Sequence, residues 1–128
     1  MTTKDYNWTG KCLLIAEDSE TSKRYFEAAL RRTHISIVWA RTGIDAVELA
    51  RSRKPDLIFM DLDLPVMNGL VASRLIREEF PDMPIVAQTA HTNTGDAEAS
   101  YRAGCNDFIT KPISLDVLLR TLKKFLDS

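Results

Sequence analysis

Residues 57–69 read LIFMDLDLPVMNG, and this stretch contains both the fold signal and the chemical signal of the chain. A run of four apolar residues ends in two carboxylates, Asp61 and Asp63, and the chain then turns at Pro65 and Asn68-Gly69. A short apolar run followed by turn residues is typical of a buried strand. A carboxylate at the end of such a strand is costly unless it has a partner, so the residues beside Asp61 decide its role.

The same alternation of a strand-length apolar run and a segment of helical period continues along the whole chain. Strands are predicted at 12–16, 35–40, 57–60, 85–90 and 107–110, and helices at 19–33, 42–53, 69–80, 94–103 and 114–126. The first, third and fourth runs are continuously apolar, as expected when helices cover both faces of a parallel sheet. The pattern therefore predicts an α/β fold of the doubly wound (βα)5 type.

Polar residues mark several of the predicted helix ends. Thr42 begins a sequence that resembles a capping box, with Asp45 in place of Glu. Asn93 and Ser114 are predicted to cap the fourth and fifth helices, and Gly104 is suited to end the fourth.

The composition is that of an ordinary globular domain. The chain has 128 residues, of which 45% are apolar and 27% charged, which excludes a disordered chain. With 17 basic and 18 acidic residues, the net charge of -1 gives no electrostatic surface for nucleic acid or an anionic membrane. The apolar runs are too short to cross a bilayer.

The amino terminus and the cysteines favour a cytoplasmic location. Residues 1–10 have no apolar core of a signal peptide and are predicted to be a polar lead-in to a single domain over residues 11–128. Cys12 and Cys105 are expected to remain reduced, because two isolated thiols without an export signal seldom form a disulfide.

Polar residues also follow the predicted strands at their carboxyl ends, where doubly wound sheets bind ligands. These residues are Glu17, Asp18, Asp61, Asp63, Thr89 and Lys111. Carboxylates that converge on one edge repel each other unless a cation neutralises them, and oxygen ligands without His or Cys suit Mg²⁺. A carboxylate nucleophile, Mg²⁺, a lysine and a hydroxyl are the parts needed for phosphoryl transfer onto an aspartate.

Each of these residues also has an ordinary structural interpretation. Asp18 could cap the first helix, and Asp61 and Asp63 could serve the turn that leads to Pro65. Thr89 could be a strand former, and Lys111 a solvated loop residue. The functional hypothesis depends on all of them falling at strand ends in the order that the chemistry requires.

Four segments together resemble the receiver domains of two-component response regulators. They are residues 14–18, 57–69, 84–90 and 104–113, and the resemblance extends over roughly residues 11–127. The resemblance implies a flavodoxin-like sheet of five parallel strands in the order 2-1-3-4-5. Residues 8–11 also resemble the lead-in to receivers that are fused to hybrid histidine kinases.

The resemblance assigns roles to individual residues of the acidic edge. Asp61 matches the phosphoacceptor, and Asp18 matches the direct Mg²⁺ ligand. Glu17 matches its partner, which acts through water, and Asp63 matches the position whose backbone carbonyl completes the metal site. The side chains of Asp63 and His91 match positions that tune the lifetime of the phosphoryl group, in a direction that the sequence does not give.

The switch residues follow from the same resemblance. Thr89 matches the hydroxyl that moves toward the phosphoryl group, and Lys111 matches the lysine that pairs with it. Phe108 matches the aromatic switch position, where the family often has Tyr, so a hydrogen bond from that position is lost. The Lys111–Pro112 peptide bond is expected to be cis.

The resemblance implies a signalling phosphoacceptor rather than an enzyme, with slow self-dephosphorylation as its only turnover. A histidine kinase or a His-containing phosphotransfer protein is the expected phosphodonor. The output is expected through a protein target that binds the face built from the fourth helix, fifth strand and fifth helix. Neither nucleic acid nor membrane is an expected partner, and the chain is expected to be a monomer or a weak dimer.

Three alternatives belong to other classes. Asp61-Leu62-Asp63 satisfies the D-x-D signature of haloacid-dehalogenase-like phosphohydrolases, although those enzymes place it on their first strand. A flavodoxin-like electron carrier would need an uncrowded phosphate site, but residues 17–21 are acidic. A receiver-like binding module that is never phosphorylated would not need the complete acceptor set.

Overall fold

The computed structural model describes residues 6–90 and 94–127. The strands are β1 (Cys12–Ala16), β2 (Ser36–Ala40), β3 (Leu57–Asp61), β4 (Ile85–Thr89) and β5 (Asp107–Thr110). The helices are α1 (Glu20–Leu30), α2 (Gly43–Arg53), α3 (Gly69–Glu79), α4 (Thr94–Arg102) and α5 (Leu115–Leu126), with a short 3-10 turn at Arg31–Thr33 after α1. Two residues of the sequence predictions, His91 and Asn93, lie outside the described residues.

The sheet confirms the predicted fold class. Its strands are parallel and lie in the order β2-β1-β3-β4-β5, which is the doubly wound flavodoxin-like arrangement. The register pairs Ala16 with Met60 and Asp61 with Gln88, so β1, β3 and β4 end close to one another. This alignment brings the polar residues that follow the strands to one edge.

The core has one apolar layer on each face of the sheet. Alternate residues of a strand face opposite layers: Leu13, Ile15 and Phe59 pack in the layer that α1 and α5 cover, and Leu14 and Met60 in the layer that α2 and α3 cover. Each fully buried side chain of this kind contributes about 1.5–3 kcal/mol to folding. The two layers fix the strand ends that carry the site.

The segment predicted to be a polar lead-in contributes two residues to the core. Tyr6 and Trp8 are 7% and 3% exposed and belong to the layer of α1 and α5. Their rings stack with centroids 5.0 Å apart. The boundary at residue 11 remains a prediction, but the packed part of the chain begins before it.

Capping residues hold the helices at the ends that the sequence indicated. The hydroxyl oxygens of Thr42 and Ser114 accept hydrogen bonds from the backbone N–H groups of Asp45 and Val117. Ser19, not Asp18, is the N-cap of α1 and accepts from the N–H of Ser22. The structural interpretation of Asp18 as a cap is therefore wrong, and its carboxylate is available for the acidic edge.

Arg77 joins the end of α3 to the segment before β5. Its guanidinium donates to the Gly104 carbonyl from two nitrogens (2.9 and 2.7 Å) and to the Phe80 and Pro81 carbonyls (3.1 and 2.8 Å). It also donates to the Asn106 side chain at 2.8 Å. Only a planar fork of donors serves several acceptors in this way.

We expect Arg77→Lys to lower the free energy of unfolding by about 1–3 kcal/mol, because a single ammonium leaves some of these acceptors unpaired. Urea denaturation followed by circular dichroism measures the change. The matched control is Arg74→Lys, since Arg74 is exposed on the same helix, and it should change stability by less than about 0.5 kcal/mol. Equal effects of the two substitutions would contradict the role given to Arg77.

Candidate functional site

Acidic side chains from two adjacent strands meet at the carboxyl edge of the sheet. Glu17 and Asp18 directly follow β1, and Asp61 is the last residue of β3. One carboxylate oxygen from each of the three lies within 4.8 Å of the others. Glu17 and Asp61 are 1% and 4% exposed, whereas Asp18 is exposed. The structure thus brings together the three carboxylates that the sequence placed at strand ends.

Lys111 lies between the two buried carboxylates of this cluster. Its Nζ donates to Glu17 Oε1 at 2.6 Å and to Asp61 Oδ2 at 3.0 Å. Burial alone would lower the pKa of the Lys111 ammonium, but the hydrogen bonds and negative charge of Glu17 and Asp61 outweigh it and raise that pKa. Lys111 is therefore fully charged at neutral pH and offsets part of the repulsion among the carboxylates.

Backbone N–H groups fix the second oxygen of each buried carboxylate. Asp61 Oδ1 accepts from the N–H of Asp63 at 3.0 Å, and Glu17 Oε2 accepts from the N–H of Ser19 at 3.1 Å. With Lys111 on the other oxygen, both carboxylates are held in one orientation. A nucleophile held in this way needs little reorganisation before it reacts.

Thr89 and Asp63 form a second pair at the same edge. Thr89 ends β4, is 1% exposed, and donates from its hydroxyl to Asp63 Oδ2 at 3.3 Å. Asp63 thus forms two hydrogen bonds at this edge. Its backbone N–H donates to Asp61, and its carboxylate accepts from Thr89. The sequence placed Thr89 and Asp63 near each other but did not predict this bond.

The structure also describes two of the remaining predicted features, Phe108 and the Lys111–Pro112 peptide bond. Phe108 lies on β5 opposite Ala87 and is partly buried against the layer of α2 and α3. The Lys111–Pro112 peptide bond is cis, the isomer that the resemblance implied. His91 lies outside the described residues, so its distance from Asp61 is not described.

The cluster has the chemistry of a site for a hard divalent cation. Its ligands are carboxylate oxygens, with no sulfur or imidazole among the three residues that approach one another. Three carboxylates and one ammonium leave a net negative charge, which a cation would offset. These residues therefore fit a bound metal.

A doubly wound parallel sheet with an acidic, lysine-bridged site at its carboxyl edge defines a class of phosphate-handling or cation-binding α/β domain. Within that class, the chain matches the family model described as the response regulator receiver domain over residues 13–123. The chain belongs to this family and is a receiver domain of two-component signalling.

Similar proteins agree with this assignment. The polar-differentiation response regulator DivK of Brucella ovis is 35% identical over 118 residues, which are 91% of this chain and 96% of that protein. The receiver domain of the sensor histidine kinase PA1611 from Pseudomonas aeruginosa superposes with a TM-score of 0.86 at 35% identity, covering 94% and 100% of the two chains. That structure has a magnesium ion coordinated in the active site cleft.

A second similar structure comes from a complex of two signalling proteins. It contains the receiver domain of Saccharomyces cerevisiae Ssk1 with the histidine phosphotransfer protein Ypd1, at a TM-score of 0.86 and 30% identity, covering 94% of this chain and 91% of that one. These likenesses do not favour the phosphohydrolase or electron-carrier alternatives. Among the described residues, no helix has the length and apolarity needed to span a bilayer.

Sequence reasoning missed one polar residue beside the site. Gln88 lies within β4, in a run that was interpreted as continuously apolar, and it is fully buried. The available signal was a long amide side chain inside an otherwise apolar strand. Such a residue needs hydrogen-bond partners, as a buried carboxylate does.

Proposed function

We propose that this receiver accepts a phosphoryl group on Asp61 from a histidine kinase or a His-containing phosphotransfer protein, in a Mg²⁺-dependent reaction. The observation that supports this proposal is the position of the Asp61 carboxylate, 3.0 Å from Lys111 Nζ and beside the carboxylates of Glu17 and Asp18. A carboxylate with a purely structural role would not need both a partly buried lysine and two acidic neighbours.

The chain's own residues orient the attack. One Asp61 oxygen forms a bond to phosphorus while the P–N bond of the donor phosphohistidine breaks, and its electron pair stays on the imidazole nitrogen. The N–H of Asp63 holds the other Asp61 oxygen, and Lys111 lies where it can pair with a phosphoryl oxygen. Bound at Glu17, Asp18, Asp61 and the Asp63 carbonyl, Mg²⁺ would supply charge neutralisation for the phosphoryl oxygens.

The signal would arise from the charge placed at this edge. A phosphoryl group on Asp61 attracts the Thr89 hydroxyl, which then gives up its bond to Asp63. The space that the hydroxyl leaves allows Phe108 to turn inward, and the face of α4, β5 and α5 repacks. This change is a shift between two populated states that the new charge biases. Asp63 and His91 would tune how long the phosphoryl group survives.

The proposed partners are proteins. The complex of Ypd1 with the Ssk1 receiver supports a His-containing phosphotransfer protein as donor, and a downstream protein is proposed to bind the α4-β5-α5 face of a monomer or weak dimer. The free thiols Cys12 and Cys105 fit a reducing compartment such as the cytoplasm. The domain is proposed to turn over no phosphoester beyond slow self-dephosphorylation.

Acetyl phosphate tests this function without a cognate kinase. The chain incubated with acetyl phosphate and Mg²⁺ should gain one phosphoryl group, measured by intact-protein mass spectrometry, and peptide mapping should place it on Asp61. Addition of EDTA should slow the labelling by at least about tenfold, because the charge of Glu17, Asp18 and Asp61 then repels the donor. Labelling that is unchanged by EDTA, or that maps elsewhere, would refute the proposal.

A further inference from the structure

A cleft beside the acidic edge shares only Lys111 with the site of the proposed function. Its volume is about 350 Å³, at the small end of the range of ligand pockets. It lies between the first turns of α1 and the chain that follows β4 and β5. Its lining residues are Thr21, Ser22, Tyr25, Phe26, Gln88, Ala90, Lys111, Pro112 and Ile113.

The amide of Gln88 is the exceptional group in this cleft. The side chain is 0% exposed, and neither its amide oxygen nor its amide nitrogen has a hydrogen-bond partner in the described part of the chain. An amide offers one acceptor oxygen and two N–H donors, all of which are costly to bury unpaired. Natural proteins rarely keep such a group without a use for it.

The other neighbours of Gln88 give the amide no partner. Val86 and Gln88 are two positions apart on β4, so their side chains face the same layer, which contains Phe26, Phe59 and Leu118. These residues are apolar. Asp61 and Ile109 lie opposite Gln88 on the two neighbouring strands, but this pairing involves the backbone only. The cleft that Gln88 lines is the space from which a partner could reach the amide.

We propose that this cleft binds a small, neutral, planar molecule that carries a primary or cyclic amide. The ligand's N–H would donate to the Gln88 carbonyl oxygen, and its carbonyl would accept from the Gln88 NH₂ group, which satisfies both unpaired functions at once. The rings of Tyr25 and Phe26 and the aliphatic surfaces of Pro112 and Ile113 would cover the apolar body.

Two features of the cleft define the ligand further. Lys111 lines one end, but its ammonium already pairs with Glu17 and Asp61, so a charged ligand gains no free counter-charge there. The second feature is the position of Gln88, which itself lines the cleft, so the amide of a bound ligand would lie next to its side chain.

Benzamide and toluene are matched probes for this site, since they share a ring and differ in the amide. Each is titrated into the full chain, without metal or phosphodonor, and followed by ¹H–¹⁵N NMR. Benzamide should produce saturable shifts of the Gln88 side-chain NH₂ signals and of the Thr21 and Ile113 backbone signals. It should bind at least about fivefold more tightly than toluene, the effect of one or two satisfied hydrogen bonds.

Gln88→Met tests the role of the amide directly. Methionine keeps the length of the side chain and removes both unpaired groups, so the variant should fold, weaken benzamide about fivefold or more, and leave toluene unchanged. Tyr25→Ser is a second variant at a partly exposed wall of the cleft, and it should weaken both probes. It keeps the test decisive if Gln88→Met does not fold.

Several results would overturn the proposal. Benzamide and toluene could bind equally well, or benzamide could bind equally to the native chain and to Gln88→Met. The shifts could also map away from the cleft. Finally, Gln88 could contact a bound water that benzamide does not displace, and the cleft would then be a hydration site only. None of these results depends on phosphorylation of Asp61, so the site stands or falls independently of the proposed function.

Discussion

Asp61→Asn is expected to reduce phosphoryl labelling by acetyl phosphate by at least about a thousandfold, because it removes the nucleophile itself. An amide oxygen is a poor nucleophile, whereas the shape of the side chain is retained and its single oxygen still accepts a hydrogen bond from Lys111 or from the N–H of Asp63. The loss of labelling should therefore occur in a folded chain. Intact-protein mass spectrometry measures the labelled fraction over time, and circular dichroism verifies the fold.

Asp63→Asn is the matched control for this experiment. The substitution makes the same chemical change two residues away, and it retains the backbone N–H that orients Asp61 and the carbonyl proposed as a metal ligand. The variant should acquire label, with an altered lifetime of the phosphoryl group, because the Thr89 hydroxyl loses its carboxylate acceptor. Labelling of Asp61→Asn at the native rate, or complete loss of labelling in Asp63→Asn, would contradict the assignment of the nucleophile.

The strand ends could be predicted from the sequence because simple rules determine them. The apolar run before Asp61 is of strand length, turn residues follow it, and parallel strands present their carboxyl ends at one edge. The clustering of Glu17, Asp18 and Asp61 follows from that geometry, whereas the order of the strands was implied only by the resemblance to receivers. The resemblance to receivers added the roles of individual residues, which spacing alone does not give.

The hydrogen-bond partners within the site could not be predicted. The sequence places Lys111 near Asp61 but does not show that it also reaches Glu17 Oε1, since this depends on where the chain after β5 returns to the edge. The bond from Thr89 to Asp63 likewise depends on side-chain rotamers. Gln88 was missed because a single polar residue does not interrupt the apolar pattern of β4.

Trp8 shows a different limit of sequence reasoning. Polar neighbours such as Asn7, Thr9 and Lys11 make its segment look like a solvated lead-in. In the fold, the indole is 3% exposed and its Nε1 donates to Asp127 Oδ1 at 2.7 Å, across almost the whole length of the chain. Short segments have no periodicity to reveal such long-range packing, so only the tertiary structure identifies it.

We expect Trp8→Ala to lower the free energy of unfolding by about 3–5 kcal/mol, the range for removal of a buried aromatic side chain. The substitution removes the stacking with Tyr6 and the bond to Asp127, and it leaves a cavity in the layer of α1 and α5. The loss would be a large fraction of the stability of a domain of this size. Urea denaturation followed by circular dichroism measures it.

Two further variants separate the contributions of Trp8. Trp8→Phe keeps an aromatic ring but loses the indole N–H, so it should lower the free energy of unfolding by less than Trp8→Ala does. The control is Tyr101→Ala, at a side chain that is 50% exposed, which should lower it by less than about 1 kcal/mol. A Trp8→Ala chain as stable as the native one would show that the segment before β1 does not contribute to the domain. A large loss would instead show that residues from Trp8 onward contribute to the stability of the domain. The ring of Trp8 and its hydrogen bond to Asp127 would then stabilise the layer that α1 and α5 cover.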